Sequence, residues 1–308
     1  MIAESWDVLI VGGGPAGLSA AIYSGRALRR TLVVEKKIFG GQIINADVIE
    51  NYPGFAEPIV PADLMEQFSL QAKRYGVVLE NDEVTRIEKA SNRWQVETLG
   101  GRYSARSIIY AAGSVHRFLN VAGEKQLLGR GVSVCATCDA PFFLNRKVAV
   151  IGGGDTALAE ALHLSKFAAA VHVIHRRDEL RAEKILQERA FKNEKIVFVW
   201  DSVVTGFIGR EKLTALEIRN VKTGQSQPSE FDGAFLAIGT IPHTELIKDF
   251  TRLDDQGYVP TDISLKTDSP GLFVAGEVIK GNRRQVIISA GMGVQAALSC
   301  EEYLVTQD

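Results

Sequence analysis

One pattern of apolar and polar positions occurs twice along the chain. Val8-Leu-Ile-Val11 is a continuous apolar run that stops at Gly12-Gly-Gly-Pro-Ala-Gly17. An Ala-rich helical pattern continues to about Leu28, and Thr31-Leu-Val-Val34 then ends in Glu35. Short unbroken apolar runs bounded by glycine predict strands buried on both faces, so the order is strand, Gly loop, helix, strand, acid. The second copy begins at Lys147-Val-Ala-Val-Ile151 and runs into Gly152-Gly-Gly-Asp155-Thr156-Ala157. Sliding the first copy forward until Val8 falls on Val148 puts Gly12 on Gly152, Gly14 on Gly154, Gly17 on Ala157 and Glu35 on His175.

This is the arrangement that binds a dinucleotide. Gly12 and Gly152 permit a tight turn, and Gly14 and Gly154 let backbone approach a pyrophosphate. Gly17 and its counterpart Ala157 let the helix pack on the strand. The helix N-terminus, entered at Ala16 in the first copy and at Asp155 and Thr156 in the second, supplies the anion site. The ends of the second strands differ. Glu35 favours a ribose with free hydroxyls and repels a 2′-phosphate, whereas His175-Arg176-Arg177, with Arg181 one helical turn further on, does the reverse, because guanidinium matches phosphate bidentately. The first site is expected to hold FAD or NAD, and the second NADP(H).

The stretches between the copies complete the plan. Residues 38–60 are loop-like, with Gly40-Gly41-Gln42, Asn51 and Pro53-Gly54, and Pro61 to about Tyr75 is helical. From Val77 to Tyr110 the chain alternates as a small meander packed on the first sheet. Residues 114–131 are irregular, and Asn193 to Gly239 again reads as short strands, with a turn at Lys222-Thr-Gly224. Leu272-Phe-Val-Ala-Gly276-Glu277 places an acid after a strand and a glycine, and Arg284-Gln285 precedes a helix from about Ser289 to Leu304, rich in small residues. The fold expected is α/β with two Rossmann-like dinucleotide-binding domains of three-layer ββα form. The FAD domain is discontinuous, residues 1–116 and 244–308, and the NADP(H) domain, residues 117–243, is inserted in it.

Composition narrows the function without naming it. The chain has 308 residues, 46% hydrophobic and 23% charged, with a formal net charge of −2, so neither nucleic acid nor an anionic membrane surface is an expected partner. The N-terminus lacks the shape of a signal peptide and no apolar run approaches a bilayer span, which predicts a cytoplasmic protein. Three cysteines are too few for a secreted disulfide framework.

Between the two copies lies Cys135-Ala136-Thr137-Cys138-Asp139. A cysteine pair two residues apart can close a small disulfide, and at the start of a helix the macrodipole and free N–H groups stabilise a thiolate. Asp139 is placed to move a proton when that thiolate leaves or is protonated. A structural zinc site needs four ligands, and here there is no second cysteine pair and no histidine nearby, so no metal is expected. NADPH delivers a hydride, a disulfide needs two electrons, and a flavin links the two. Two dinucleotide sites and a CxxC pair therefore argue for FAD, NADPH and a disulfide in series.

Gly12-Gly-Gly-Pro-Ala-Gly17, Gly40-Gly-Gln42, Asn51-Tyr-Pro-Gly54, Cys135-Ala-Thr-Cys-Asp139, Gly152-Gly-Gly-Asp-Thr-Ala157, His175-Arg-Arg-Asp178 with Arg181-Ala182, and Arg284-Gln285 occur in an order and spacing that resemble the low-molecular-weight bacterial thioredoxin reductases. The resemblance implies that Cys138 faces the flavin and forms the adduct with it, that Cys135 attacks the partner's disulfide and that Asp139 serves as acid–base. It implies domain rotation about the crossings near Ser114 and Pro242, a homodimer, and thioredoxin or a thioredoxin-like protein as partner. Arg130 is its expected contact, with Phe142 and Phe143 as an apolar knob. The chain departs from the family at Glu277, where Asp is usual, at Ala140-Pro141 in place of Gly-Phe, and at Ala112 in place of a common Thr.

Two rival readings remain. One is a relative with ferredoxin as electron source or a dithiol oxidase, against which Arg176 and Arg177 count. The other is a non-catalytic dinucleotide sensor with inert cysteines, which turnover of a generic disulfide would exclude.

Overall fold

The computed structural model describes residues 4–45, 48, 49, 51–282 and 285–307, with the side chains of all but Glu4, Asn45 and Cys138. Two compact units emerge, one built from Met1–Val115 and Ile241–Asp308, the other from His116–Thr240.

In the first unit a seven-stranded sheet runs in the order β3 (Val78–Asn81), β2 (Thr31–Glu35), β1 (Glu4–Val11), β6 (Arg102–Tyr110), β5 (Arg93–Thr98), β4 (Val84–Ala90). The seventh strand, β17 (Leu272–Val274), also pairs with β6. Strands β3, β2, β1, β6 and β17 are mutually parallel, and β4–β5–β6 are antiparallel. Strand β6 is shared lengthwise. Its first half carries β5, with Trp94 opposite Ala105, and its second half carries β17, with Leu272 opposite Ile108. The predicted meander is bonded to the parallel sheet through β6 and shares its core, with Ile87, Trp94 and Val96 in one buried cluster with Leu272 and Phe273, while its first strand, β3, belongs to the parallel set. Leu9, Ile10, Ile108 and Ile109 are wholly buried, each stabilising the fold by about 1.5–3 kcal/mol.

Helix α1 (Pro15–Arg26) follows β1, α2 (Pro61–Arg74) precedes β3, and α7 (Val286–Val305) lies against α1. Helix α7 begins a turn earlier than its sequence pattern predicts, because Gln285 takes the cap position in extended conformation. The far end of the α1–α7 pair is tied by Arg29, whose Nε and Nη2 donate to the two carboxylate oxygens of Glu301 at 2.7 and 2.9 Å. Cys300, on the buried face of α7, is a free thiol that donates to Ser107 Oγ. Burial pushes it up to about 12, which makes it chemically quiet.

The second unit repeats the plan. Its parallel sheet runs β11 (Ile196–Val199), β10 (Ala170–Ile174), β9 (Lys147–Ile151), β15 (Gly233–Leu236), β8 (Val132–Ser133). This matches β3, β2, β1, β6, β17 position for position. Helix α5 (Asp155–Leu164) follows β9 and α6 (Lys184–Phe191) follows β10. Strands β12 (Ser202–Gly209), β13 (Leu213–Asn220) and β14 (Ser226–Glu230) form the second antiparallel arm. The chain passes between the units along β7 (Ser114–His116) and β16 (Thr240–Pro242), which pair with each other.

The segment expected to be irregular, 114–131, holds β7 and the one-turn helix α3 (Glu124–Leu127). Glu124 is fully buried, and its two carboxylate oxygens accept the N–H groups of Leu119 and Asn120 at 2.7 and 2.6 Å. It gathers a loop that has no hydrophobic repeat of its own. Glu124→Ala leaves both donors without an acceptor and is expected to cost about 2–4 kcal/mol of stability, read as a lower urea midpoint. A midpoint equal to that of the wild type would contradict this role.

Candidate active site

Two cradles and a cysteine pair emerge from the elements above. At the first, Gly12 has φ +103°, and a Cβ on it would stand 2.3 Å from the carbonyl oxygen of Ala111. A Cβ on Gly17 would stand 1.8 Å from the carbonyl oxygen of Gly12. Only glycine fits either position. Around Gly14 the nearest atom to an added Cβ is the Gly41 Cα, at 3.8 Å, so this is the open side of the loop. Helix α1 starts there with Pro15 in its first turn, no acidic residue and no side-chain cap, which leaves the amides around Ala16 and Gly17 without intrahelical acceptors. Glu35 Oε2 accepts the Gly13 N–H at 2.7 Å and Oε1 accepts Lys37 N–H at 2.9 Å. A carboxylate has further lone pairs, so Glu35 keeps acceptor capacity for a ribose.

Residues distant in sequence meet around this loop. The Gln42 amide donates to the Ser114 carbonyl, and the Ser114 hydroxyl donates to Glu277 Oε2. A Cβ on Gly276 would lie 3.0 Å from that of Ala16, which places Glu277 beside the start of α1. Asn51 Nδ2 donates to Gln285 Oε1 at 3.0 Å. Arg284 lies outside the described residues. The loop, its open face and the convergent Gln42, Ser114 and Glu277 fit a dinucleotide with an uncharged ribityl or ribose chain.

The second cradle has the same backbone solution. Gly152, φ +153°, would place a Cβ 2.3 Å from the Ala237 carbonyl oxygen and 2.9 Å from the Ala157 Cβ, and nothing lies within 4 Å of one on Gly154. What surrounds it differs. Asp155 Oδ1 accepts Glu183 N–H at 2.6 Å and so fixes the segment after β10, and Thr156 is exposed. His175 does not take the role of Glu35. Its ring is buried under Gly153, where an added Cβ would lie 2.4 Å from it. Burial, and then the charges of Arg181, Arg176 and Arg177, hold its imidazole below its ordinary pKa against a hydrogen bond to the backbone of Glu179. A neutral ring thus floors the loop. Arg176, Arg177 and Arg181 are exposed. Arg181 is not a helical turn beyond them, since residues 175–183 form a bent loop, and its N–H returns to the Gly153 carbonyl at 2.8 Å.

The third feature is the cysteine pair. Cys135 is held in a disulfide, and its N–H donates to Ser133 Oγ at 3.0 Å. The helix expected to follow is a single turn, α4 (Ala136–Asp139), continued as a 3₁₀ turn over Ala140–Phe143. One turn carries little macrodipole, so thiolate stabilisation from that source is smaller than the sequence pattern suggests. The side chain of Cys138 lies outside the described residues. Phe142 is 80% exposed. Phe143, expected beside it on the surface, instead packs edge-on against Phe235 at 5.3 Å and against Gly233. Arg130 is exposed, on a turn fixed by its own backbone hydrogen bonds to Leu127 and Leu213.

Sequence reasoning missed Glu160. It sits on α5, which packs on α4, and its carboxylate accepts the N–H of Ala136, the residue after Cys135. Its Oε2 is sealed from solvent without a partner. The signal was present, for Glu160 lies on the helical face of the buried Ala157, Ala161 and Leu164. Burial pushes its carboxyl up to about 8, against the Ala136 N–H. The folded chain therefore keeps a proton that an unfolded one releases near 4.5, and Glu160 withdraws stability as pH rises through that window. Glu160→Gln should melt progressively higher than wild type as pH rises from about 5 to about 8. An offset that does not change with pH would contradict the buried, protonated acid.

Residues 6–293 match the family described as pyridine nucleotide-disulphide oxidoreductase. A thioredoxin reductase of Streptomyces coelicolor is 45% identical over 97% of this chain and 94% of its own length. One of Treponema pallidum is 44% identical over 98% of each. Among solved structures, thioredoxin reductase of Lactococcus lactis matches with a TM-score of 0.93 at 40% identity, covering 98% of this chain and 99% of that one. The enzyme of T. acidophilum matches with 0.90 at 33% identity, over 99% and 100%.

Proposed function

Since this chain belongs to the pyridine nucleotide-disulphide oxidoreductases, and within them to the thioredoxin reductases, we propose that it reduces the disulfide of thioredoxin or a thioredoxin-like protein with electrons from NADPH. The observation that carries this reading is the Cys135 disulfide on the unit whose nucleotide cradle is rimmed by arginines, in a chain whose other cradle is rimmed by a carboxylate. When bound, NADPH supplies a hydride and FAD accepts it and passes an electron pair to a disulfide.

The residues divide the work. Gly12, Gly14, Ala16 and Gly17 hold the pyrophosphate of FAD at the start of α1, Glu35 its ribose, and Gln42, Asn51, Gly276, Glu277, Arg284 and Gln285 the remainder. Glu277 is already oriented by Ser114, which supports its reaching the ribityl hydroxyls despite being one methylene longer than Asp. Gly152, Gly154, Asp155, Thr156 and Ala157 hold NADPH, and Arg176, Arg177 and Arg181 read its 2′-phosphate over the floor that His175 forms. Cys138 takes the electrons first, Cys135 attacks the partner, and Asp139 holds or gives the proton. Arg130 and Phe142 are the contacts for the partner, because Phe143 is committed to the core. The resemblance to thioredoxin reductases also supports a cytoplasmic homodimer. No helix among the described residues is long and apolar enough to cross a membrane.

Cys135→Ser separates the two halves of the route. The variant should still lose its flavin colour with NADPH, while reduction of an oxidised thioredoxin falls about a thousandfold or more. Unchanged thioredoxin reduction would remove Cys135 from the route.

A further inference from the structure

The arginine loop of the second cradle carries a carboxylate that works against it. Asp178 follows Arg177 directly, and Asp201 is tied to the same loop by its N–H, which donates to the Arg177 carbonyl at 3.3 Å. Both carboxylates would repel a phosphate held by Arg176 and Arg177. Lys222 answers both, with its Nζ 2.9 Å from an oxygen of Asp178 and 2.9 Å from one of Asp201. The turn that presents Lys222 is fixed independently of these ion pairs. Asn220 Oδ1 accepts the N–H groups of Lys222 and Thr223 at 3.0 and 2.9 Å. The Val221 N–H donates to the Asp201 carbonyl at 2.7 Å, and that of Gly224 to the Asn220 carbonyl at 2.9 Å. The ammonium is thus brought to the loop by a braced hairpin on the antiparallel arm.

We propose that Lys222 is a specificity-determining residue of the nucleotide cradle, masking Asp178 and Asp201 so that the loop of Arg176 and Arg177 presents net positive charge to a ribose 2′-phosphate. The proposal rests on the reading of that loop as a 2′-phosphate site. Exposed ion pairs contribute little to stability, and stability is not the point here. An uncompensated unit charge on the loop that holds a doubly charged phosphate changes binding even in water, and the change must shrink as salt screens it. Asp178 is held below the ordinary carboxylate range, first by its hydrogen bond from Lys222, so it is fully charged whenever the loop meets a ligand.

The test is calorimetry on the flavin-loaded protein at low salt, with 2′,5′-ADP and 5′-ADP as probes. Wild type should prefer 2′,5′-ADP. Lys222→Met should bind 2′,5′-ADP about three- to tenfold more weakly and 5′-ADP as before, and Lys222→Arg should behave as wild type. Adding Asp178→Asn to Lys222→Met should recover part of the loss, because the exposed repulsion is gone. Equal weakening toward both probes would make Lys222 a structural brace and overturn the proposal, as would an unchanged affinity for 2′,5′-ADP. A wild type without preference would overturn the reading of the arginine loop itself and the proposal with it, an outcome separable from the failure of Lys222 alone.

Discussion

Helix α1 is pinned between two backbones that approach closer than a side-chain carbon allows. On one side a Cβ at Gly17 would lie 1.8 Å from the Gly12 carbonyl oxygen, and on the other a Cβ at Gly293 of α7 would lie 1.9 Å from that of Ala16. The helix start, the end of β1 and the middle of α7 therefore have fixed separations. That contact sets where the first-turn amides point, where Gly14 leaves space, and how Glu277 reaches the same corner from the far end of the sequence. The rest of the first unit arranges itself around a junction that tolerates no added atom.

The second unit solves the same problem with the same geometry and then departs in charge. Gly12 and Gly152 stand equally close to a carbonyl of the neighbouring strand, 2.3 Å for an added Cβ in each case. Beyond the loop, a carboxylate that accepts the Gly13 amide is replaced by a neutral imidazole lying under Gly153, and exposed arginines take over the rim. In the proposed function, backbone geometry makes a pyrophosphate cradle, and the residues just past the second strand choose the ribose. Shared architecture and divided chemistry are what let one chain use two nucleotides without confusing them.

The parts legible in the sequence are those where local pattern and long-range packing agree. The strands at Val8 and Val148, both Gly loops and the following helices follow from continuous apolar runs stopped by glycine. Strand β3 was not legible as part of the parallel sheet. The short Val78-Leu79-Glu80-Asn81 suits a meander equally well, and only pairing with β2 decides the matter. The single turn at Ala136–Asp139 escaped for a similar reason, since nothing local says that Pro141 will tighten the chain into a 3₁₀ turn. His175 shows the limit of alignment between the two copies. It sits at the position of Glu35, yet its ring lies buried under Gly153, whereas Glu35 accepts the Gly13 N–H. Glu160 was legible and overlooked, a charged residue on an otherwise apolar helical face.

The central claim is that the two cradles differ in nucleotide and act in series. Anaerobic titration of the purified flavin-loaded protein with NADPH, and in parallel with NADH, tests it most directly through the visible flavin absorbance. The account predicts bleaching by stoichiometric NADPH and little by NADH at the same concentration. Flavin that stays oxidised under excess NADPH would contradict it and redirect the search to another electron donor.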